Sequence, residues 1–136
     1  MATFQLELVS PEKLLLSRAV EMAVLPAAEG EMGVLPGHAP MIMALRGGVI
    51  SVTANGQVTD QLFVGGGFAE VTPERCTVLA DEATPVAQLS RADAEGRVRD
   101  AEAAYNAAAG ETPEKRDVAM ARLLSARAML AAAQAA

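Results

Sequence analysis

The chain carries one histidine and one cysteine, His38 and Cys76. His38 has no serine or cysteine near it in a recognisable nucleophile motif. It sits in Leu35-Pro36-Gly37-His38-Ala39-Pro40, a constrained turn where a structural hydrogen bond is its expected use. A single cysteine cannot form an intramolecular disulfide, and one Cys with one His falls short of the set a structural zinc needs. Gly65-Gly66-Gly67 lacks the Gly-Lys-Ser/Thr ending of a phosphate loop and lies between strand signals, so it reads as a bulge or a close backbone approach. The carboxylates are scattered without a motif that would pair a general acid with a base. These residues point away from an enzyme and toward a protein that works through its surfaces.

The elements that would present those surfaces come in two kinds. Thr3 to Val9 alternates Phe4, Leu6 and Leu8 with polar residues, and Ala19 to Leu25 places Val20, Met22 and Val24 on one face of a single strand. Val49 to Thr53 and Gln57 to Phe63 flank Asn55-Gly56, which accepts the positive φ angles of a type I′ hairpin turn. Phe68 to Val71 and Cys76 to Leu79 repeat the pattern around Thr72-Pro73-Glu74-Arg75. Strands at such regular spacing with no helix between them indicate an antiparallel sandwich.

From Ala83 to Leu89 the pattern changes, Pro85 ends the last strand, and the Ala-rich remainder has helical composition. This sets the expected boundary, a sandwich over 1–86 and a helical unit over 87–136. Ser90 caps a first helix beginning at Arg91, with Asp93 placed to complete a capping box. Its apolar stripe is Ala94, Val98, Ala101, Tyr105 and Ala108, and Gly110 stops it. Thr112 caps a second helix with Pro113 at its first position, striped by Ala119, Leu123, Ala126, Leu130 and Ala133. Two such stripes joined by a short loop make an antiparallel hairpin. Its seam is mostly Ala, each methyl contributing on the order of 0.8 kcal/mol, so it is expected to be loosely held to the sandwich.

A chain of 136 residues can bury one sizeable core, and 51% hydrophobic with 3% aromatic content makes that core aliphatic. No apolar run approaches the roughly 20 residues of a membrane span, and the N-terminus reads as lacking an export signal. Before Ser90 there are four basic residues against ten acidic ones, and from Ser90 onward seven of each, so the net charge of -6 lies wholly in the first part. An acidic body with few aromatic rings argues against a nucleic-acid partner.

The run Gly30-Glu31-Met32-Gly33-Val34-Leu35-Pro36-Gly37-His38-Ala39-Pro40 closely resembles the G-x-x-G-x-L-P-x-H-x-P signature of the epsilon subunits of bacterial F-type ATP synthases. Gly65-Gly66-Gly67-Phe68-Ala69-Glu70-Val71 and Val78-Leu79-Ala80-Asp81 extend the resemblance, which covers essentially the whole chain. It implies an all-β sandwich of about ten strands followed by a C-terminal two-helix hairpin. The implied protein is a non-catalytic rotor subunit of the central stalk, coupling the gamma subunit to the membrane c-ring. It would sit peripherally on the cytoplasmic side of the bacterial inner membrane.

By position in the signature, the resemblance implies that Glu29, Gly30, Glu31, Met32 and Gly33 form a loop facing the c-ring. It likewise implies that His38, Ala39, Pro40, Met41 and Met43 lie against gamma. In many relatives the hairpin can extend and block ATP hydrolysis through basic residues of its second helix that meet the catalytic subunits. Arg122 and Arg127 are the candidates here, and because the hairpin is neutral overall the expected inhibition is weak. Epsilon subunits that bind ATP carry Ile/Leu-Asp-x-x-Arg-Ala, where this chain reads Leu89-Ser90-Arg91-Ala92-Asp93-Ala94. A carboxylate in place of the cation reverses the interaction with a phosphate, so no cofactor is expected and ATP binding should be weak or absent. The alternative reading is a free-standing interaction module whose hairpin docks a partner.

Overall fold

The computed structural model describes residues 2–135. Ten strands come first: β1 (Phe4–Val9), β2 (Leu14–Val20), β3 (Met22–Ala27), β4 (Gly30–Val34), β5 (Met41–Leu45), β6 (Gly48–Ala54), β7 (Gln57–Val64), β8 (Gly67–Val71), β9 (Arg75–Ala80) and β10 (Ala83–Pro85). A 3-10 turn at Val86–Gln88 leads into helices α1 (Arg91–Ala107) and α2 (Pro113–Ala135). Sandwich followed by hairpin is the expected fold class.

The strands form one hydrogen-bonded path in the order β10-β7-β6-β3-β5-β8-β9-β1-β2, with β4 attached to β3. The pairing is antiparallel except between β1 and β9, which run parallel. β3 and β5 meet only at Ala27 and Leu45, and this narrow join is where the path folds over. Its two ends are brought together by Arg18 of β2, which donates to Thr59 Oγ1 at 2.7 Å and ion-pairs with Asp60, both on β7. The inward faces share a core containing Leu6, Leu8, Leu25, Ile50, Val52 and Val78, each at most 1% exposed. Each such side chain contributes about 1.5–3 kcal/mol through removal from water, so this unit carries most of the stability.

The Asn55-Gly56 turn joins β6 to β7 with φ of 56° and 73°, as its type requires. The single strand expected over Ala19 to Leu25 is instead two, because the chain bends at Glu21. That bend is held by Glu21, whose backbone N-H donates to Thr53 O and whose carboxylate accepts from Gly56 N, both at 2.9 Å. A one-residue interruption inverts every later side chain. Thus Ala23 and Leu25 are buried, while Met22 and Val24 are only half-buried. The segment expected as a loop at Glu29 to Gly33 is another correction: only Ala28 and Glu29 form the turn, and Gly30 to Gly33 belong to β4, paired from Ala27↔Gly30 to Ala23↔Val34.

Pro85 ends β10, which pairs with β7 alone and lies at one end of the path, where a residue without N-H is tolerated. Ser90 Oγ accepts from Asp93 N at 3.2 Å, making the expected cap of α1. The return bond from the Asp93 side chain is not made among the described residues.

Candidate functional site

The surfaces fall into three places, and the strand register determines each. The first is the turn between β3 and β4. Glu29 and Glu31 are exposed, Gly33 is exposed without a side chain, Gly30 takes φ 139°, and Met32 turns inward onto the core. All five residues expected to face the c-ring are therefore gathered on one short β-hairpin with two outward carboxylates. Their negative charge is the chemistry they present.

The second surface begins at the other end of β4, roughly 17 Å away at about 3.3 Å per residue. Pro36-Gly37 makes a tight turn with Gly37 at φ 81° and His38 N donating to Leu35 O at 3.2 Å. Gly37 N also donates to Pro73 O at 2.8 Å, which ties this turn to the β8–β9 turn. His38 Nδ1 donates to Ala39 O at 2.8 Å, the structural hydrogen bond expected of it. Ala39 and Pro40 are exposed and Met41 is half-buried. Met43, expected on this contact surface, is instead only 7% exposed and belongs to the core. Strand alternation puts Ile42 outward in its place, at 72% exposure.

Ile42 belongs to a larger apolar strip. Phe68 on β8 is paired with Ala44 of β5 and with Leu79 of β9, and Phe68 and Leu79 are 59% and 56% exposed. Three large apolar side chains on adjacent strands of an otherwise closed sandwich mark a contact surface rather than scattered exposure. The reading from sequence missed Ile42, Phe68 and Leu79 as surface residues. Alternation along β8 sets Phe68 on the face opposite the buried Ala69 and Val71, and which face that would be is decided by the fold.

The third surface joins sandwich and hairpin. Leu62, Phe63 and Val64 are all buried, which a strand with one wet face does not allow. Leu62 and Val64 face the sandwich core, whereas Phe63 points the other way and is covered by Ala94 of α1 and Met129 of α2. Beside it, α2 rests on a seat with no side chains: a Cβ on Gly47 would lie 2.5 Å from Ser125 Oγ and 2.7 Å from Ser125 Cα. Ser125 Oγ donates to Gly65 O at 3.5 Å. Arg97 of α1 also pairs with Glu82 at 2.7 Å.

Within the hairpin, Ala101, Leu123 and Ala126 form the seam with Val98 and Tyr105 beside them. The stripe of α2 drifts at its end to Met129 and Ala132, because there the helix faces the sandwich as well as α1; Leu130 and Ala133 are only partly buried. Arg127 pairs with Glu102 across the hairpin at 3.7 Å. Arg122 lines a cleft of about 470 Å³ with Asp81, Glu82, Arg97 and Asp100. The glycine run is a close approach, as expected: Gly67 takes φ 135°, and a Cβ there would overlap the Leu79 carbonyl oxygen. Cys76 is fully buried, and burial pushes its thiol up to about 11.

An acidic hairpin tip, an apolar strip and a docked helical appendage on a closed sandwich define a subunit built for contact with other chains. The family described as ATP synthase, Delta/Epsilon chain, beta-sandwich domain matches residues 3–86. The ATP synthase epsilon chain of Granulibacter bethesdensis is 61% identical over 134 residues, covering 98% of this chain and 99% of that one. That of Gluconacetobacter diazotrophicus is 47% identical, covering 98% and 94%. A chain from the mitochondrial ATP synthase of Euglena gracilis, in an assembly of OSCP, F1 and c-ring, superposes with a TM-score of 0.79 at 25% identity, over 97% of this chain and 82% of that one. A chain of the central stalk and c-ring of the Tetrahymena thermophila enzyme shares the fold at 13% identity, with a TM-score of 0.67. The chain belongs to the ATP synthase delta/epsilon chain family.

Proposed function

We propose that this protein is a non-catalytic subunit of the central rotor, coupling the gamma subunit to the c-ring of a proton-translocating ATP synthase. The observation that carries this reading is the separation of two unlike surfaces on one rigid sandwich. The acidic β3–β4 hairpin, with Glu29 and Glu31, suits the polar loops of the c-ring. The strip from His38, Ala39 and Pro40 through Met41 to Ile42, Phe68 and Leu79 suits an apolar subunit interface. Torque passes between two partners only through a body that does not yield, and the aliphatic core with the Arg18–Asp60 closure supplies that stiffness. Among the described residues no helix is long and apolar enough to cross a membrane. Attachment at the cytoplasmic face of the inner membrane would come through these contacts.

The sandwich and the hairpin act as separate units with their boundary near residue 86. The hairpin serves as a weak brake on ATP hydrolysis: of the residues to meet the catalytic subunits, Arg127 is paired with Glu102 inside the hairpin and Arg122 is an exposed cation lining the cleft beside Asp81 and Glu82. An exposed ion pair contributes about 0 to 1 kcal/mol, while reversing a 1:99 population takes roughly 5.5 kcal/mol. ATP binds weakly or not at all, because Ser90 is used as a helix cap and Asp93 puts a negative charge where the family's binding motif has a cation.

The experiment is reconstitution of the catalytic head and the membrane sector with full-length protein, with residues 1–86 alone, or with neither. Coupled synthesis should need the sandwich and survive loss of the hairpin, and hydrolysis should rise only slightly without the hairpin. Coupling in the absence of residues 1–86 contradicts the rotor role. A large rise in hydrolysis that is abolished by Arg122→Ala with Arg127→Ala would instead make the hairpin a strong brake.

A further inference from the structure

A carboxylate stands against the final turns of α2, where a helix end favours a cation. Strand alternation puts Glu31 on the outward face of β4, paired with Pro26 of β3. Val24, on the same face of β3, pairs with Ser51 of β6, and Ser51 pairs with Gln61 of β7. This is the face that carries Phe63 and that the hairpin covers. Glu31, Ser51 and Gln61 accordingly line a small cleft of about 230 Å³ together with Ala132 and Ala135 of α2. Glu31 also lines a larger cleft of about 900 Å³, which has Phe68, Leu124 and Ala131 in its lining. Among the described residues it is the single charged group of the smaller cleft and is in no ion pair; the larger cleft adds Arg46 and Asp81. The last cation of α2 is Arg127, and its last turn holds no basic residue. The unpaired carbonyls that end a helix carry partial negative charge, which a nearby anion opposes and a cation favours.

We propose that Glu31 is an electrostatic release for the hairpin: its negative charge, held against the negative end of α2, keeps the last turns weakly docked, and neutralising it docks them firmly. Substitution neutralises it, and so does a cationic group of a partner seated on the β3–β4 hairpin. By linkage, the docked hairpin in turn favours such a cation at Glu31. One exposed charge at a helix end shifts an equilibrium by about two- to fivefold at low ionic strength. That shift counts here because Ala131, Ala132 and Ala135, the residues of α2 beside Glu31, bring only methyl groups to the contact. The coupling belongs to the free subunit and does not depend on the rotor role; where that role holds, contact at the β3–β4 hairpin is felt by α2 within the same chain.

The test is amide exchange of the free full-length protein at low salt. Glu31→Gln should slow exchange at 128–134 by about two- to fivefold relative to wild type, and Glu31→Lys should slow it further, while exchange in β1, β8 and β9 stays the same. Glu29→Gln, at an exposed position in the same turn that lines neither cleft, should leave α2 unchanged. In 1 M salt, where the screening length falls to about 3 Å, the difference between wild type and Glu31→Gln should vanish. Exchange at 128–134 that is no slower in Glu31→Gln than in Glu29→Gln overturns the proposal. So does a slowing that persists undiminished in 1 M salt, which would assign it to packing rather than charge.

Discussion

The sandwich and the hairpin of this protein reach a folded state by different means. The sandwich gathers Leu6, Val20, Ile50 and Val78 from strands far apart in sequence and encloses them completely. The hairpin buries Ala94, Ala101, Ala119 and Ala126, relieved only by Leu123 and Met129, and it needs the sandwich surface for part of that burial. Its hold on the sandwich comes from one aromatic ring, a glycine seat and an exposed ion pair between Arg97 and Glu82. The first unit is stable because its apolar area is large. The second is placed because its contacts fit closely, and close fit is lost more easily than area.

The largest expected effect tests that contrast directly. Leu25→Ala, at a fully buried sandwich position, should lower unfolding free energy by about 3 kcal/mol, within the 2–5 typical of such truncations. Ala126→Gly in the hairpin seam should cost about 1 kcal/mol through helix propensity. Denaturant unfolding of both variants measures the difference, and equal losses would erase it.

Next in size is release of the hairpin. Gly47→Val puts side-chain atoms where Ser125 now sits, so amide exchange across α2 should accelerate while the sandwich strands remain protected. Gly33→Ala is the control, since its Cβ would meet nothing within 4 Å. Unchanged exchange in Gly47→Val would show that the seat does not hold the helix.

Smaller again is the cap. Ser90→Ala removes the acceptor for Asp93 N and should cost about 1 kcal/mol, read as fraying of the first turn of α1 by exchange or circular dichroism.

The smallest effect at neutral pH belongs to Cys76. Its thiol is raised from 9.0 to about 11, so the unfolded chain releases that proton first. The contribution is constant below pH 9 and is lost as pH rises toward 11. A stability curve from pH 7 to 11 should show a decline that Cys76→Val removes. Persistence of the same decline in that variant would assign it to other groups.

Local chemistry made much of this legible beforehand. Asn55-Gly56 fixed a hairpin because its two positions accept positive φ, Ser90 marked a helix start because its hydroxyl can satisfy an orphan N-H, and the signature from Gly30 to Pro40 named the family. Less legible was anything that depends on which face of a strand meets which layer. The bend at Glu21 inverts the side chains after it, and its stabilising partners, Thr53 and Gly56, lie more than thirty residues away. Met43 and Ile42 exchange core and surface by one step of the same alternation.

The sequence by itself therefore determined the two kinds of element, the break between them near Pro85 and the family. These follow from propensity, turn chemistry and apolar period, which act within a few residues. Only the tertiary structure decided that Phe63 faces the hairpin, that Gly47 gives way to Ser125, and that Phe68 and Leu124 line one cleft. Those outcomes depend on how layers and helices stack, and a side chain's neighbours across such a contact are set by the whole fold rather than by the residues beside it.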